Sequence, residues 1–178
     1  MKIKNLIIVC LCCCFAVGMS SCLKDTPYID VSNSQPIIEF GLSPANGVTG
    51  PFAYVPDSVG GPSANIDTAV AVVVASPQVL SSTVTVTVKV DTSQISAYNT
   101  ANGTSFTVLP SNLYTLKTTA TVNPGYRVGR LDVVLNMSQF PAHHSYALPL
   151  AIVSASTNTG QNLIVSGNSA TYMWLFSR

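Results

Sequence analysis

The 178-residue chain carries 8 Lys and Arg against 7 Asp and Glu, a formal net charge of +1, and only 8% of its residues are charged. It has no basic cluster of the kind that neutralises phosphates, so nucleic acid is not an expected partner. With so few charges the surface has to be built from Ser, Thr, Asn and Gln, which supply neutral hydrogen-bonding groups.

The chain opens on Lys2 and Lys4, then an apolar run from Leu6 to Val17, then Gly18-Met19-Ser20-Ser21 and Cys22. The run is about a dozen residues, short of the roughly 20 that a membrane-spanning helix needs, and its flanks are those of a cleaved secretory signal. This segment resembles the bacterial lipobox in the looser form found among Bacteroidetes, where serine is accepted before the cysteine. The resemblance implies cleavage before Cys22 and a lipid thioether on its sulfur. Met19 and Ser21 stand where the stricter pattern has Leu and Gly or Ala. The other reading of these residues is a plain secretory signal cut elsewhere, with Cys22 discarded or free. The expected organisation is a lipoprotein signal peptide over 1–21, a tether over 22–35 and one β-sandwich domain over 36–178.

Cys10, Cys12, Cys13, Cys14 and Cys22 all lie at or before that cut, which leaves no pair for a disulfide in the domain. The cysteine cluster sits in an apolar signal helix and does not read as a metal site. The domain must therefore be held by a hydrophobic core, for which its length is ample. Lys24-Asp25 partly resembles the short charged signal that sends Bacteroidetes lipoproteins to the outer face of the outer membrane, with one acidic residue where two or more are usual. It implies an outer-membrane, lipid-anchored protein exposed at the cell surface.

Pro36 opens a candidate strand over Ile37 to Leu42. The stretch from Ser43 to Asn65 is rich in Pro and Gly, which excludes a regular helix. It contains Phe52-Ala53-Tyr54-Val55, readable as a small edge strand. Long loops in compact domains are functional or mobile, so Phe52 and Tyr54 are candidate ligand-contact residues. They read more readily as a cover for the edge of the core. Ala69 to Ala75 reads as a buried strand. From Ser82 to Val90, valines alternate with threonines and Lys89, so one face packs and the other is wet. With Ser76-Pro77-Gln78 as a turn, these two segments are expected to form an antiparallel pair. Asp91 and Gln94 form a capping-box-like pair for a short helix that places Ile95 and Tyr98 on one face and stops at Asn102-Gly103. Strands follow over 116–122, 131–136, 146–154 and 170–176, with a turn at Pro124-Gly125. About seven strands, one short helix and frequent turn residues indicate an all-β, immunoglobulin-like antiparallel sandwich.

Tyr98-Asn99, Gly103-Thr104-x-Phe106, Leu109-Pro110, Tyr114-x-Leu116, Gly125, the 131–135 strand and Tyr146-x-Leu148-Pro149-Leu150-x-Ile152 together resemble a Bacteroidetes surface-lipoprotein domain of unknown function. That domain is often found N-terminal to family 18 glycosidase-like or laminin-G-like modules. The resemblance covers roughly 66–176. It implies an immunoglobulin-like sandwich in a glycan-related surface setting and carries no catalytic residue. With Arg178 directly after the last strand, no such module is expected to follow.

Nothing in the sequence points to an enzyme or a cofactor. His143 and His144 are neighbours on an extended stretch and point apart, which suits a surface loop better than a metal site. Of the carboxylates that a glycosidase could pair across a sugar, Asp91 reads as a cap and Asp132 as the wet side of a strand, paired with Arg130. A sugar site combines an exposed aromatic with polar groups. Tyr126 beside Arg127 in the Pro124-Gly125 turn joins Phe52 and Tyr54 as a candidate. Tyr172, Trp174 and Phe176 share one face of the last strand, but Met173 and Leu175 make its other face apolar, so Trp174 reads as core. The leading expectation is an accessory glycan-binding module of a polysaccharide-utilisation system. The alternative is a structural or assembly protein of the cell surface, pilus-related or joined to an outer-membrane protein partner, with no glycan ligand. Asp57-Ser58-Val59 and Asp67-Thr68-Ala69 also resemble the short sequon of Bacteroidetes O-glycosylation.

Overall fold

The computed structural model describes residues 31–41, 54–58, 65–141 and 143–177. The strands all fall in one compact unit, Ser32–Arg178. They are β1 (Ile37–Phe40), β2 (Tyr54–Ser58), β3 (Ile66–Ala75), β4 (Val84–Val90), β5 (Thr107–Val108), β6 (Tyr114–Leu116), β7 (Thr119–Val122), β8 (Val128–Leu135), β9 (Ser145–Thr157), β10 (Ile164–Val165) and β11 (Thr171–Ser177). One helix, α1 (Ser93–Asn102), follows β4. The all-β class with one short helix is as expected. The strands number eleven among the described residues, and three pairings, β1 with β10, β2 with β11 and β5 with β9, are parallel.

The strands run in the order β10-β1-β3-β8-β7-β4-β9-β11-β2, with β6 on β8 and β5 on β9. β8 meets β7 at a single pair, Thr121 with Arg130. There the sheet folds over on itself, giving one layer of β10, β1, β3, β8 and β6 and a second of β7, β4, β9, β11 and β2. Gly129 stands at the fold, where a Cβ atom would lie 2.5 Å from the Thr121 carbonyl oxygen. β1 and β2 join different layers: β1 pairs antiparallel with β3, and β2 pairs parallel with β11. Pro56 interrupts the donors of β2, as suits a strand at the end of the order.

Each strand contributes an apolar face to one core. Ile38 and Phe40, Val70, Val72 and Val74, Val84, Val86 and Val88, Leu131, Val133 and Leu135, and Leu148 and Leu150 are all buried in it. Tyr172, Trp174 and Phe176 line the same core, as the two-faced pattern of β11 predicts. Their rings touch in sequence, Tyr172 meeting Trp174 edge-on with centroids 6.4 Å apart and Trp174 meeting Phe176 at a tilt with centroids 5.1 Å apart. The other face of β11 is covered as well: Met173 and Leu175 form a second cluster with Ala147 and with Ile95 and Tyr98 of α1.

Two pairings differ from the expectation. β3 and β4 do not pair; β3 lies between β1 and β8, and β4 between β7 and β9. Both strands present valines to the same core, one from each layer. The expected single strand over 116–122 is two strands. β6 pairs with β8, the Lys117 amide donates to the Asp132 carbonyl, and the Thr118 carbonyl accepts from the Val88 amide of the opposite layer.

Gly129→Ala is expected to destabilise the domain by about 1–3 kcal/mol, because the methyl group meets fixed backbone. Gly167, where an added Cβ meets nothing within 4 Å, serves as the control, with Gly167→Ala expected within about 0.5 kcal/mol of wild type. Denaturant titration of both variants checks this; equal midpoints would remove Gly129 from the fold of the sheet.

Candidate functional site

At one end of the sandwich two turns lie against each other. The first joins β3 to β4 and the second joins β7 to β8. Gly125 adopts φ 80°, a left-handed value that suits glycine, and its amide donates to the Leu80 carbonyl at 2.8 Å. The Tyr126 amide donates to the Asn123 carbonyl at 3.1 Å, closing the turn. The Arg127 guanidinium then reaches across, with Nη1 donating to the Ser76 carbonyl and Nη2 to the Pro77 carbonyl at 3.1 Å. The Ser76 hydroxyl donates to the Gln78 carbonyl at 2.7 Å. These bonds hold Tyr126 on a fixed backbone with 67% of its surface exposed. Val79 and Val128 beside it are 50% and 55% exposed.

The two turn residues named by the sequence thus take different parts. Tyr126 is presented to solvent. Arg127 is a positioning residue whose donors hold the opposite turn, and its partners lie about fifty positions away, beyond any local pattern. Phe52 and Cys22 lie outside the described residues. Tyr54 heads β2 and pairs through its backbone with Met173. Ser58 closes the same strand opposite Ser177, and Thr68 stands within β3 opposite Val133.

The histidines and carboxylates are dispersed. His143 has φ 61° and is exposed, while His144 stacks on Tyr146 with centroids 5.6 Å apart and planes 7° from parallel. No group of three potential metal ligands occurs among the described residues. Asp91 accepts from the Ser93 hydroxyl at 2.7 Å and the Ser93 amide at 3.3 Å, with Lys89 at 3.5 Å. It caps α1 from one residue before the N-cap, Thr92, whose own side chain makes no cap bond. The Ser93 hydroxyl bond is the main reason its carboxyl titrates below the usual aspartate range. Asp132 receives Lys117 at 2.8 Å and, more weakly, Arg130 at 3.6 Å. The Lys117 hydrogen bond and charge lower its pKa. Lys117 is therefore the closer partner, ahead of the Arg130 expected from sequence.

The residues that carry the sequence resemblance are architectural. The Asn99 side chain donates to the Phe106 carbonyl at 2.8 Å and accepts from the Phe106 amide and the Thr104 hydroxyl, each at 2.9 Å. Gly103, at φ 62°, closes α1 with its amide on the Asn99 carbonyl. Phe106 then packs edge-on against Tyr98 at 6.1 Å.

The model of a family of N-terminal domains matches residues 38–159. The chain belongs to that family. No curated protein matches the chain at a significant level. Among solved structures the chain is similar to a candidate carbohydrate binding protein from Bacteroides ovatus, with TM-score 0.58 and 20% identity over 79% of this chain and 36% of the other. It is also similar to an auxiliary nutrient binding protein from Bacteroides thetaiotaomicron, with TM-score 0.54 and 14% identity over 70% and 43%. A third is the endoglycosidase EndoBT-3987 of Bacteroides thetaiotaomicron bound to Man5GlcNAc, with TM-score 0.53 and 17% identity over 71% and 28%. At these identities the likeness establishes the fold that the family shares. The chain spans less than half the length of each of these proteins.

Because Asp91 and Asp132 titrate lower in the folded state, the stability they contribute is present above the unfolded aspartate value of about 3.9 and is lost as pH falls through their folded values. The Asp91→Asn, Asp132→Asn double variant is expected to show a flatter fall of Tm below about pH 4 than wild type. Parallel curves would show that neither carboxylate is linked to folding.

Proposed function

We propose that this chain is a non-catalytic accessory module that binds glycan at the bacterial outer membrane as part of a polysaccharide-utilisation system, with Cys22 carrying the lipid anchor. The observation that carries the binding reading is Tyr126, an aromatic ring left exposed on a turn that hydrogen bonds to the facing β3–β4 turn hold rigid. A sugar's C–H face stacks on such a ring, and preorganisation lowers the ordering cost of binding. Structural neighbours described as carbohydrate-binding and nutrient-binding support the same class. The non-catalytic reading is supported by the employment of Asp91 and Asp132, which are committed to a helix cap and to Lys117 in different layers, whereas glycosidases face two carboxyls across one sugar. A tether over 22–35 extends roughly 45 Å, enough for an anchored domain to turn either end outward.

A second reading, assembly with another surface protein, is favoured by the outer face of the first layer, where Ile37, Ile164 and Val128 are 38%, 45% and 55% exposed.

In affinity electrophoresis of the full chain through gels of neutral plant and host polysaccharides, wild type is expected to be retarded. Tyr126→Ala is expected to weaken that retardation about tenfold, the value of one aromatic stacking contact, with an unchanged melt. Co-purification of a membrane partner with no retardation by any glycan would favour the assembly reading instead. For the anchor, palmitate labelling in the native host is expected to mark wild type and not Cys22→Ala, with intact-cell protease shaving releasing the domain. Label on the alanine variant overturns the anchor.

A further inference from the structure

Most of the large apolar side chains left on the surface are gathered at one end of the sandwich. Nine are exposed among the described residues, and Ile37, Val79, Tyr126, Val128 and Ile164 share that end. Strand pairing places them together. Ile164 and Ala75 both lie in register with Ile37. Val73 pairs with Val128, and the Val74 amide donates to the Arg127 carbonyl at 2.8 Å, so the same register sets Ala75 opposite Tyr126. Ile38, Val72 and Val74, which alternate with them, are buried in the core, and this turns Ile37, Val73 and Ala75 to the outer face of the first layer. One row of that face therefore runs Ile164, Ile37, Ala75, Tyr126 across four strands, about 14 Å. Val128 stands in the next row, and Val79 lies on the β3–β4 turn, whose Leu80 carbonyl accepts from Gly125.

The charges of this face stand beyond the first row. Glu39 lies beside Val73 in the second row, and Arg130, Asp132 and Asp67 follow toward the far end. The segments that build the apolar end, 31–37, 75–84, 121–128 and 157–165, contain one charged residue, Arg127, and no carboxylate. They meet there through backbone bonds, the Asn158 amide donating to the Thr83 carbonyl at 3.2 Å and the Ile164 amide to the Pro36 carbonyl at 2.9 Å. Pro36 is also the last residue before β1, so the chain coming from Cys22 enters the domain at this row. Exposed Val31 lies on that approach.

We infer that this end of the sandwich is a membrane-seating surface, with Ile37, Ile164, Val79, Val128 and Tyr126 resting in the headgroup region of the bilayer that holds the Cys22 lipid. The inference rests on the Cys22 anchor and goes beyond the glycan reading. The point of chain entry favours a lipid surface over a protein partner: fifteen residues separate Cys22 from Ile37, which keeps the apolar row within roughly 50 Å of the bilayer. A contact too weak to hold a free domain is well populated at the high effective concentration that such a tether gives. The side chains suit the place as well. A tyrosine presents an apolar ring and a polar tip, the combination found at membrane interfaces, and an end without carboxylates meets anionic lipid without repulsion. Glu39, Asp132 and Asp67 then point the rest of the face away, so the domain stands on its tether end. Glycan reaches Tyr126 while the domain is lifted, a movement within the tether's length.

The test uses the lipidated full chain, purified from its native host and reconstituted in vesicles of phosphatidylethanolamine and phosphatidylglycerol. No cysteine follows Cys22, so one added cysteine carries a single fluorescent label. Val79→Cys and Ile164→Cys report on the seated end, and Ile66→Cys, exposed at the far end beside Asp67, is the control. A nitroxide-bearing lipid is expected to remove roughly half or more of the emission at 79 and 164, as suits side chains in the headgroup region, and to leave 66 at its value without quencher. Adding Val128→Asp to the Ile164→Cys chain is expected to restore the emission at 164, with melting unchanged. The two reporters sit on different segments, so either serves if the other folds poorly. Equal emission at all three positions in chains that do enter the vesicles overturns the seating surface and leaves the anchor in place. A chain that carries no lipid and stays out of the vesicles overturns the anchor and the proposal with it. Shielding of 79 and 164 only when another protein co-purifies, or a dimer that Val128→Asp dissociates, assigns this end to a protein interface and overturns the proposal.

Discussion

Burial of one apolar face from nearly every strand in a single core is the constraint on which the rest of this molecule depends. The domain has no disulfide to constrain its unfolded chain, because every cysteine precedes residue 23. The ion pairs among the described residues lie at the solvent-screened surface and add little. A fully buried Val, Leu or Phe side chain contributes about 1.5–3 kcal/mol, and the core holds many of them from both layers. That imbalance explains why β3 and β4 separate into opposite layers, and why the sheet closes tightly enough at Gly129 to leave no room for a side chain.

The last strand shows the same constraint applied twice. Apolar on both faces, β11 needs cover on both sides. The core takes Tyr172, Trp174 and Phe176, and α1 takes Met173 and Leu175. The helix in turn is anchored by Asp91 before it and by Asn99, which ties the following loop to it through three hydrogen bonds. The family motifs around Tyr98, Asn99, Gly103 and Phe106 therefore describe how a helix is fastened to a sandwich. They are compatible with family members of different function, since the fold is what they hold constant.

Beyond the cover of α1, the outer face of β4 carries Thr85 and Thr87 with the exposed Lys89 beside them. At the neighbouring end of the sandwich a clamped turn exposes one tyrosine. In immunoglobulin-like domains the loops at one end are the usual place for recognition, and the Tyr126 turn together with the β3–β4 turn occupies such an end.

The sequence by itself determined whatever depends on neighbours a few positions apart. The Val-Thr alternation of β4, the doubly apolar β11, the stop at Gly103 and the exposed Tyr126 turn were all legible, because strand pleat and helix pitch write burial into short-range periodicity. Tertiary structure decided what depends on partners far along the chain. It placed β3 and β4 in different layers, split the segment at Lys117–Thr118 between them and gave β1 its parallel partner β10. It also set the Arg127 guanidinium on the Ser76 and Pro77 carbonyls of the facing turn. Periodicity tells a strand which face to bury but not which strand lies beside it. That choice belongs to the global packing of the core, and the candidate site is assembled from its result.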